Sequence, residues 1–443
     1  MSKKCDDKIF KWIKLAVEHH QHDRLDDAER LYRRVLRKKS ANPEALHFLG
    51  LLKFHRGDVE ESTALIRRAV TVQPDYADAH ANLGRILNKS GDNEEAMRSC
   101  REAIRLREDH ADAHFNLGVC LLSAEKPAEA ITALKRADEL KPGNVHTYLQ
   151  LAYASNKADQ IEDACTYYYK AIEVDASQSM AYENLGVMLY ARGHIDEAAE
   201  IYRRWLDVEP DNPKASHMYS ACNESKPPPR ASDEYVVSVF NQFAASYDEK
   251  LALLSYQGPQ IVATAVSEIV APGDRVGILD AGCGTGLCGP LLRPFASTLD
   301  GVDLSDGMVE KARALQVYDE LVVAELVAFM RTRSAAYDVV ISADTLNYFG
   351  DLVDPIAATE TCLRPGGWLV FTLEAHAGCT EDYSLNAHGR YSHSQDYIES
   401  VLTPHGYDVA SIAHVELRVE NKVPVDGLLI TARLRNREEN SMS

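Results

Sequence analysis

The sequence predicts two folds in one chain, an all-α helical solenoid in the front half and an α/β domain with a parallel sheet behind it. Two observations carry this prediction. Residues 11–214 align with themselves at a period of 34 residues. Beyond residue 233, apolar strand-like runs alternate with helical stretches. Alternation of this kind produces a parallel sheet with helices on both faces.

The overall composition is that of an ordinary globular protein with about two to three domains. Of the 443 residues, 45% are apolar and 26% are charged. No apolar run approaches the ~20 residues that span a bilayer. The nine cysteines are scattered without a CxxC pair, which argues against a disulfide framework and against a zinc module. We therefore expect a cytoplasmic protein with reduced thiols, without a membrane span or a metal.

The charge is unevenly distributed along the chain. The net charge is −19, and residues 223–443 hold 31 acidic against 16 basic side chains. An acidic domain repels the phosphate backbone of RNA and DNA. Nucleic acid is therefore not an expected partner.

Small residues recur at two positions of each 34-residue unit. The sixth position is Gly or Ala and the eighteenth is Ala or Ser, as in Gly84 with Ala96. Small residues at this spacing let two antiparallel helices approach closely. The period and the pattern resemble tetratricopeptide (TPR) repeats. The resemblance implies a solenoid of six repeats and a capping helix over residues 1–222, with a concave face that binds a protein or peptide.

Four successive repeats carry a side-chain amide at their fourth position, namely Asn82, Asn116, Gln150 and Asn184. An amide can bond both the N–H and the C=O of an extended peptide. The row resembles the asparagine ladder of TPR proteins that hold polypeptides, which implies that these side chains contact the partner. The alternative is that asparagine is only the usual residue of TPR repeats here, solvated and without a ligand.

Three consecutive prolines, Pro227–Pro229, lie in a segment at 223–232 that predicts an extended linker between domains. The α/β domain then covers residues 233–435, and 436–443 form a tail. Parallel strands are expected near 275–280, 298–302, 321–324, 337–342 and 368–374. The long runs Tyr407–Val419 and Val425–Leu434 predict an antiparallel hairpin at the end of the sheet.

A glycine-rich turn follows the first predicted strand. The stretch Val276–Gly286 reads VGILDAGCGTG, so an apolar run ends at Asp280 and leads into glycines at alternate positions. Glycines let a ligand approach bare backbone N–H groups. The string GTGLCG also matches the GxGxxG pattern of nicotinamide dinucleotide sites. In those sites, however, the first glycine follows the strand directly.

Further pieces occur in order along the domain. Asp303 ends the second strand, Pro365-Gly366-Gly367 leads into the fifth, and Tyr247 lies in an upstream FAASYD string. Together with the glycine turn, they resemble class I S-adenosylmethionine (SAM) methyltransferases. The resemblance implies a Rossmann-like fold and SAM as the cofactor.

The expected cofactor-binding residues follow from these motifs. Asp280 suits the cationic amino-acid end of SAM, and Asp303 can accept both ribose hydroxyls. Glu325 stands where related enzymes usually have Asp, near the adenine. The full expected set is Tyr247, Asp280, Gly282, Cys283, Gly284, Gly286, Asp303, Leu304, Met308, Glu325 and Leu326.

Two side chains are candidates for a catalytic base at the mouth of the site. Asp344 ends the fourth strand, and His393 lies in the string HGRYSHSQDYI that leads into a helix. A base is needed only when the acceptor must lose its proton early. The alternatives are that Asp344 is only a wall of the SAM pocket and that His393 is an ordinary solvated side chain beside a helix cap.

Three functions remain open at this point. The first is SAM-dependent methyl transfer, with the TPR repeats recruiting a protein. The second is methyl transfer to a small molecule such as a lipid, a quinone precursor or a carrier-bound metabolite. The third is an inactive TPR adaptor, against which the intact Asp280, glycines and Asp303 argue.

Overall fold

The computed structural model describes residues 3–223, 227–244, 247–376, 381–386, 388–420 and 423–436. The chain divides into two compact units, Met1–Met188 and Leu189–Ser443. The described residues of the first unit form helices only, whereas the second unit carries a nine-stranded sheet. The predicted combination of an all-α solenoid with an α/β domain is therefore confirmed.

The helices of the first unit pack in pairs that are adjacent in the chain. Each pair corresponds to one 34-residue repeat of the sequence. The helices are α1 (Lys3–Gln21), α2 (Leu25–Lys38), α3 (Pro43–His55), α4 (Val59–Val72), α5 (Ala77–Lys89), α6 (Asn93–Leu106), α7 (Ala111–Ser123), α8 (Pro127–Leu140), α9 (Val145–Lys157), α10 (Ile161–Val174) and α11 (Ser179–Ala191), which crosses the boundary between the units.

Small residues at the sixth position allow the paired helices to touch. A Cβ atom added at Gly84 of α5 would lie 2.3 Å from Cys100 Sγ and 2.9 Å from the Ala96 carbonyl oxygen, both in α6. At Gly118 of α7, an added Cβ would lie 2.5 Å from Leu134 Cγ in α8. The glycines therefore set the distance between the two helices of a repeat.

We expect the Gly84→Ala variant to lose about 1–3 kcal/mol of unfolding free energy, because the backbone of α6 cannot move away from the new methyl group. Helix propensity alone predicts the opposite sign, since Ala is favoured over Gly by about 1 kcal/mol in a helix interior. Urea denaturation of the full chain measures the sign. A stabilised variant would contradict the close approach of α5 and α6.

The second unit begins with helices α12 (Ile195–Val208) and α13 (Pro213–Asn223) and continues into the α/β domain. Its remaining helices are α14 (Asp233–Phe243), α15 (Tyr247–Leu253), α16 (Gly258–Ile269), α17 (Gly289–Leu292), α18 (Asp306–Ala314), α19 (Leu326–Arg331), α20 (Val353–Cys362) and α21 (Gln395–Leu402). Residues 245–246, in the middle of the FAASYD string, lie outside the described residues.

Nine strands form a single sheet in the order β3-β2-β1-β4-β5-β7-β6, with β9 pairing β5 and β8 pairing β9. The strands are β1 (Val276–Ala281), β2 (Ala296–Asp303), β3 (Glu320–Val323), β4 (Tyr337–Ser342), β5 (Leu363–Ala375), β6 (Tyr383–Leu385), β7 (Tyr391–His393), β8 (Tyr407–Glu420) and β9 (Val423–Leu434). Strands β1 to β5 are parallel. The terminal hairpin β8–β9 is antiparallel, as expected.

The proline-rich segment is bonded to the α/β domain over its described part. The Pro229 carbonyl accepts hydrogen bonds from the backbone N–H groups of Gly350 and Asp351, at 2.9 and 2.8 Å. Tyr391 Oη donates to the Pro228 carbonyl at 2.8 Å. Proline fixes φ and keeps its carbonyl acceptor, so the segment stays extended and its carbonyls remain open to donors of the α/β domain. Residues 227–232 therefore form a docked strap, although the sequence predicts an extended linker.

Helix α13, which the sequence predicts as the cap of the solenoid, packs on α12 and on α14. Its His217 ring stacks on Tyr235 with ring centroids 4.0 Å apart. His217 Nε2 donates to the Gly389 carbonyl at 3.0 Å. These contacts explain why the compact unit containing the α/β domain begins at Leu189, upstream of the boundary that the prolines suggest.

Candidate active site

A cavity of about 390 Å³ opens at the carboxyl ends of the parallel strands. It lies where β1 has β2 on one side and β4 on the other, so that the chain order reverses there. Open α/β sheets bind their ligands at such a switch point. Of the expected cofactor residues, nine line the cavity: Tyr247, Gly282, Cys283, Gly284, Asp303, Leu304, Met308, Glu325 and Leu326.

The glycine turn adopts a backbone that favours glycine, with φ of +87° at Gly282, +53° at Gly284 and +89° at Gly286. A Cβ atom at Gly282 would lie 2.0 Å from Thr345 Oγ1, whereas one at Gly284 would have no described residue within 4 Å. Gly284 is therefore the place where a ligand can approach the backbone. Gly286 is outside the cavity lining and packs against Ala312.

Asp303 joins the glycine turn to the end of β2. Its Oδ2 accepts from the Gly284 N–H and its Oδ1 from the Ser305 N–H, both at 2.9 Å. Burial raises the pKa of Asp303, although the backbone N–H groups oppose that rise. Each carboxylate oxygen keeps a lone pair for a ligand. The carboxylate is thus held rigidly at the cavity wall.

Asp280 lies beneath the cavity and is not part of its lining. It is buried, and Tyr318 Oη donates to its Oδ2 at 2.6 Å. Among the described residues, Asp280 Oδ1 has no hydrogen-bond partner. Burial raises the pKa of Asp280 to about 7, although the Tyr318 hydroxyl opposes the rise. Asp280 therefore does not line the cavity itself, and its role toward the cofactor stays a prediction.

We expect the Asp280→Asn variant to gain about 4 kcal/mol of unfolding free energy at pH 8 and to gain nothing at pH 4. The native carboxyl group ionises near pH 4 in the unfolded chain but near pH 7 when folded. Ionisation of Asp280 therefore lowers the free energy of unfolding as the pH rises from about 4 to about 7. The asparagine side chain does not ionise, so the variant does not lose this stability. Denaturant unfolding at both pH values tests this, with the exposed Asp306→Asn as control. An equal effect at both pH values would contradict the buried ionisation.

Glu325 lines the cavity and is engaged in two structural roles there. Its carboxylate oxygens accept from the N–H groups of Val327 and Ala328, at 3.1 and 2.7 Å, and so cap α19. Arg230 of the strap donates to Glu325 Oε1 at 2.9 Å. A role of Glu325 toward a ligand stays a prediction.

Five charged side chains, which we name the charge cluster, lie at the opposite end: Asp344, Glu374, Arg390, Arg418 and Glu420. Arg418 Nη1 donates to Asp344 Oδ2 at 2.8 Å and Arg418 Nε to Glu420 Oε1 at 2.7 Å. Arg390 donates to Glu374 Oε1 and Glu420 Oε1, both at 2.6 Å. Arg418 also bonds Glu374. All but Glu374 line the cavity.

A local irregularity in the hairpin directs Arg418 inward. The pairing of β8 with β9 shifts register between Glu416 and Arg418, as in a β-bulge. Bulges re-aim side chains and occur next to active sites. The neighbouring Val419 N–H donates to the Leu254 carbonyl at 2.7 Å, which holds this part of β8 against the loop after α15. Arg418 and Glu420 are site residues that sequence reasoning missed.

His393 lies away from the cavity. It is fully buried in β7, its Nε2 donates to the Gly350 carbonyl at 3.0 Å, and burial lowers its pKa to about 4. Helix α21 begins two residues later, and the Ser394 hydroxyl caps it by accepting from the Tyr397 N–H at 3.3 Å. The predicted position of His393 at the mouth of the site is therefore not what the structure shows. Asp344, in contrast, lines the cavity.

The amide row of the first unit is bonded within the solenoid. Asn82 Nδ2 donates to the Asp78 carbonyl at 2.9 Å, and Asn184 Nδ2 to the Met180 carbonyl at 3.0 Å. Asn116 is buried, and its Nδ2 bonds the Ala81 carbonyl of the preceding repeat at 3.1 Å. Gln150 is half-buried. Three of the four amides therefore use donors inside the fold, and Asn116 stabilises the packing of repeats.

Comparison with known proteins identifies both halves. The methyltransferase domain family matches residues 279–371, and a tetratricopeptide repeat family matches 13–71, 56–108, 90–145 and 149–214. The chain combines a TPR-repeat region with a methyltransferase domain. Within the described residues of the chain, no helix is both long and apolar enough to cross a membrane.

Curated relatives of the methyltransferase domain include O-methyltransferases. The malonyl-[acyl-carrier protein] O-methyltransferase of Serratia marcescens is 30% identical over 146 residues, 33% of this chain and 55% of that protein. The ubiquinone biosynthesis O-methyltransferase of Thiobacillus denitrificans is 31% identical over 102 residues, 21% of this chain and 43% of that protein. The chain thus spans about half the length of the curated relatives it matches.

Among solved structures, Pseudomonas aeruginosa pilF is similar to this chain at 20% identity and a TM-score of 0.44. The match covers 49% of this chain and 98% of that one.

Proposed function

We propose that the chain transfers a methyl group from SAM to an acceptor and that its TPR region recruits a protein. The observation that carries the proposal is the rigid pairing of Asp303 with the Gly284 N–H beside the cavity, at 2.9 Å. This pairing presents a half-buried carboxylate and an uncovered glycine to the same ligand, at the switch point of a parallel sheet.

The residues of the cavity fit SAM by their chemistry. In the part of the chain that the structure describes, no atom lies within 4 Å of the position that a Cβ would take at Gly284, so a ligand can approach the backbone there. Asp303 would hold the ribose hydroxyls, and Met308, itself buried, would pack on the adenine. Phe240 contacts Tyr247 and Tyr348 edge to face, with ring centroids 5.9 and 5.4 Å apart. These rings wall the cavity and exclude water.

When bound, SAM supplies an activated methyl group on a cationic sulfur. Methyl transfer is an in-line displacement in which alignment and exclusion of water supply much of the rate. The glycine turn and Asp303 would orient the donor, while the aromatic walls would desolvate it. The side chains at the opposite end of the cavity, including Asp344, would orient the acceptor.

The acceptor has two candidate classes. The TPR repeats support a protein that is recruited as substrate or as carrier. The names of the curated relatives support an acceptor that is small or bound to a carrier protein. A carrier protein that the TPR repeats recruit and that bears a small acceptor group would agree with both lines of support. For the location, we propose the cytoplasm that the scattered cysteines suggest.

Incubation with SAM labelled in its methyl group tests the proposal. Label is expected in a product when purified protein is added to a cell extract, and fractionation shows whether protein or small molecules carry it. The Asn82→Ala, Asn184→Ala double variant avoids the buried Asn116. It should lower protein labelling at least fivefold if the amides hold the partner, with Thr132→Ala on α8 as control. An extract without label would count against methyl transfer.

A further inference from the structure

The charge cluster holds more negative than positive charge. Two guanidiniums, of Arg390 and Arg418, face three carboxylates, of Asp344, Glu374 and Glu420. Both arginines are bonded to protein carboxylates, so their positive charge is already compensated. The cluster therefore offers no uncompensated cation to a ligand.

The neighbouring titratable groups do not reverse this excess. His388 Nε2 lies 3.3 Å from Glu374 Oε2, but burial together with Arg390 lowers the pKa of His388 to about 4, so it is neutral at pH 7. Burial opposes the ionisation of Glu420, yet Arg390 and Arg418 lower its pKa to about 2. Asp303 adds a half-buried carboxylate elsewhere in the cavity wall. The lining also holds Lys250 and Arg230, and Arg230 is bonded to Glu325 and Asp233.

Two consequences follow for the acceptor. A carboxylate entering the cavity would add a negative charge to a buried site that already has an excess of it, and unpaired buried charge is strongly disfavoured. A carboxylate also has no proton to lose, so a basic group would have no role. A hydroxyl or amine acceptor is not anionic and must release a proton, which the carboxylate of Asp344 can accept.

Resting on the proposed methyl transfer, we infer that the acceptor is a hydroxyl or amine group, not a carboxylate, and that Asp344 takes its proton. A lone pair of the acceptor oxygen or nitrogen forms the bond to the methyl carbon. The carbon–sulfur bond breaks with its electron pair returning to sulfur, which becomes a neutral thioether. The acceptor proton passes to Asp344 Oδ, which becomes a neutral carboxylic acid. Asp344 then releases this proton to solvent, because its ion pair with Arg418 favours the carboxylate form between turnovers.

Arg418 and the bulge that aims it are thus positioning features for Asp344. Asp344 has a left-handed backbone, with φ of 58°, that L-residues rarely adopt. It is held there by Arg418 and by Thr372, whose Oγ1 accepts from the Asp344 N–H at 2.9 Å. The Asp344 carboxylate is therefore held in one position at the cavity wall, as a proton acceptor requires.

The first test uses binding alone. Calorimetry of the full chain with SAM and with its neutral product S-adenosylhomocysteine measures how strongly the site prefers a cation. Asp344→Asn should reduce the ratio of the two affinities about tenfold, and Glu420→Gln should act in the same direction. The exposed Glu416→Gln on the same strand should leave the ratio unchanged. Equal weakening of both ligands would overturn the charge argument.

The second test identifies the bond formed. Product labelled from methyl-labelled SAM is treated with alkali, which releases methanol from a methyl ester but leaves ethers and N-methyl groups intact. Alkali-stable label is expected, and retention on a cation exchanger at low pH then separates amine from hydroxyl acceptors. Malonyl-coenzyme A, offered as a carboxylate probe, should take up no label.

Release of the label as methanol would overturn the inference. Failure of the wild-type chain to bind SAM would instead overturn the proposed function, so the two failures are distinguishable.

Discussion

Replacing Arg418 with methionine is expected to lower the unfolding free energy by about 3–5 kcal/mol at pH 7, because removing one partner of a buried ion pair leaves uncompensated charge. Arg418 is 3% exposed and bonds Asp344, Glu374 and Glu420. Methionine fills a similar volume without a charge. Denaturant unfolding with a fluorescence readout measures the loss.

The pH dependence separates charge from packing in this experiment. Burial acts to raise the pKa of Glu420. Its ion pairs with Arg390 and Arg418 outweigh burial and lower this pKa to about 2. That group stabilises the native fold above its unfolded pKa near 4.5, and the contribution is lost as the pH falls toward 2. In the variant, the carboxylates can take up protons at acidic pH, so its deficit should shrink between pH 7 and pH 4.

Arg331→Met is the matched control, since its pair with Asp354, at 2.9 Å, is exposed. A loss below about 1 kcal/mol is expected there. If Arg418→Met cost no more than this control, the charge cluster would not be the buried network described.

Replacing Asp303 with alanine should weaken SAM binding about 100-fold, the equivalent of ~2.8 kcal/mol. Two hydrogen bonds from ribose hydroxyls to a carboxylate would be lost, each worth about 1.5–3 kcal/mol. Asp303→Asn should lose less, since an amide oxygen still accepts. Calorimetry measures the affinities, and the exposed Asp306→Ala should bind as the wild type does.

Asp303 also supports the glycine turn through Gly284 and Ser305. Thermal unfolding must therefore accompany the titrations, to show that the Asp303→Ala variant is folded at the temperature used. A folded variant with unchanged affinity would contradict the assignment of the ribose site.

The fold was predictable because its signals are local. The 34-residue period and the alternation of strands and helices each lie within short stretches, and all seven predicted strands have counterparts in the sheet. The two short strands β6 and β7 were missed, since three residues are too few to show an alternating pattern. Missing β7 also explains why His393 was predicted at the mouth of the site. Its string first forms this buried strand and only then leads into helix α21.

The site was predictable only in part, for the same reason. Asp303 and the glycines form one continuous motif around β1 and β2. Arg418 bonds Asp344, which lies 74 positions away in the chain. The bulge in β8 that directs Arg418 inward has no signal in the sequence pattern. Asp280 lies on the expected strand, but its side chain is buried and bonds Tyr318, which the sequence does not indicate. The end of a strand can be predicted from the sequence. The direction in which its last side chain points depends on the neighbouring strands of the sheet.

Titration of the wild-type chain with SAM in a calorimeter tests the central claim most directly. The account predicts one binding site per chain, with micromolar-range affinity and competition by S-adenosylhomocysteine. Absence of binding by a folded chain, at concentrations of SAM in the millimolar range, would contradict the claim and favour a TPR adaptor without catalytic activity.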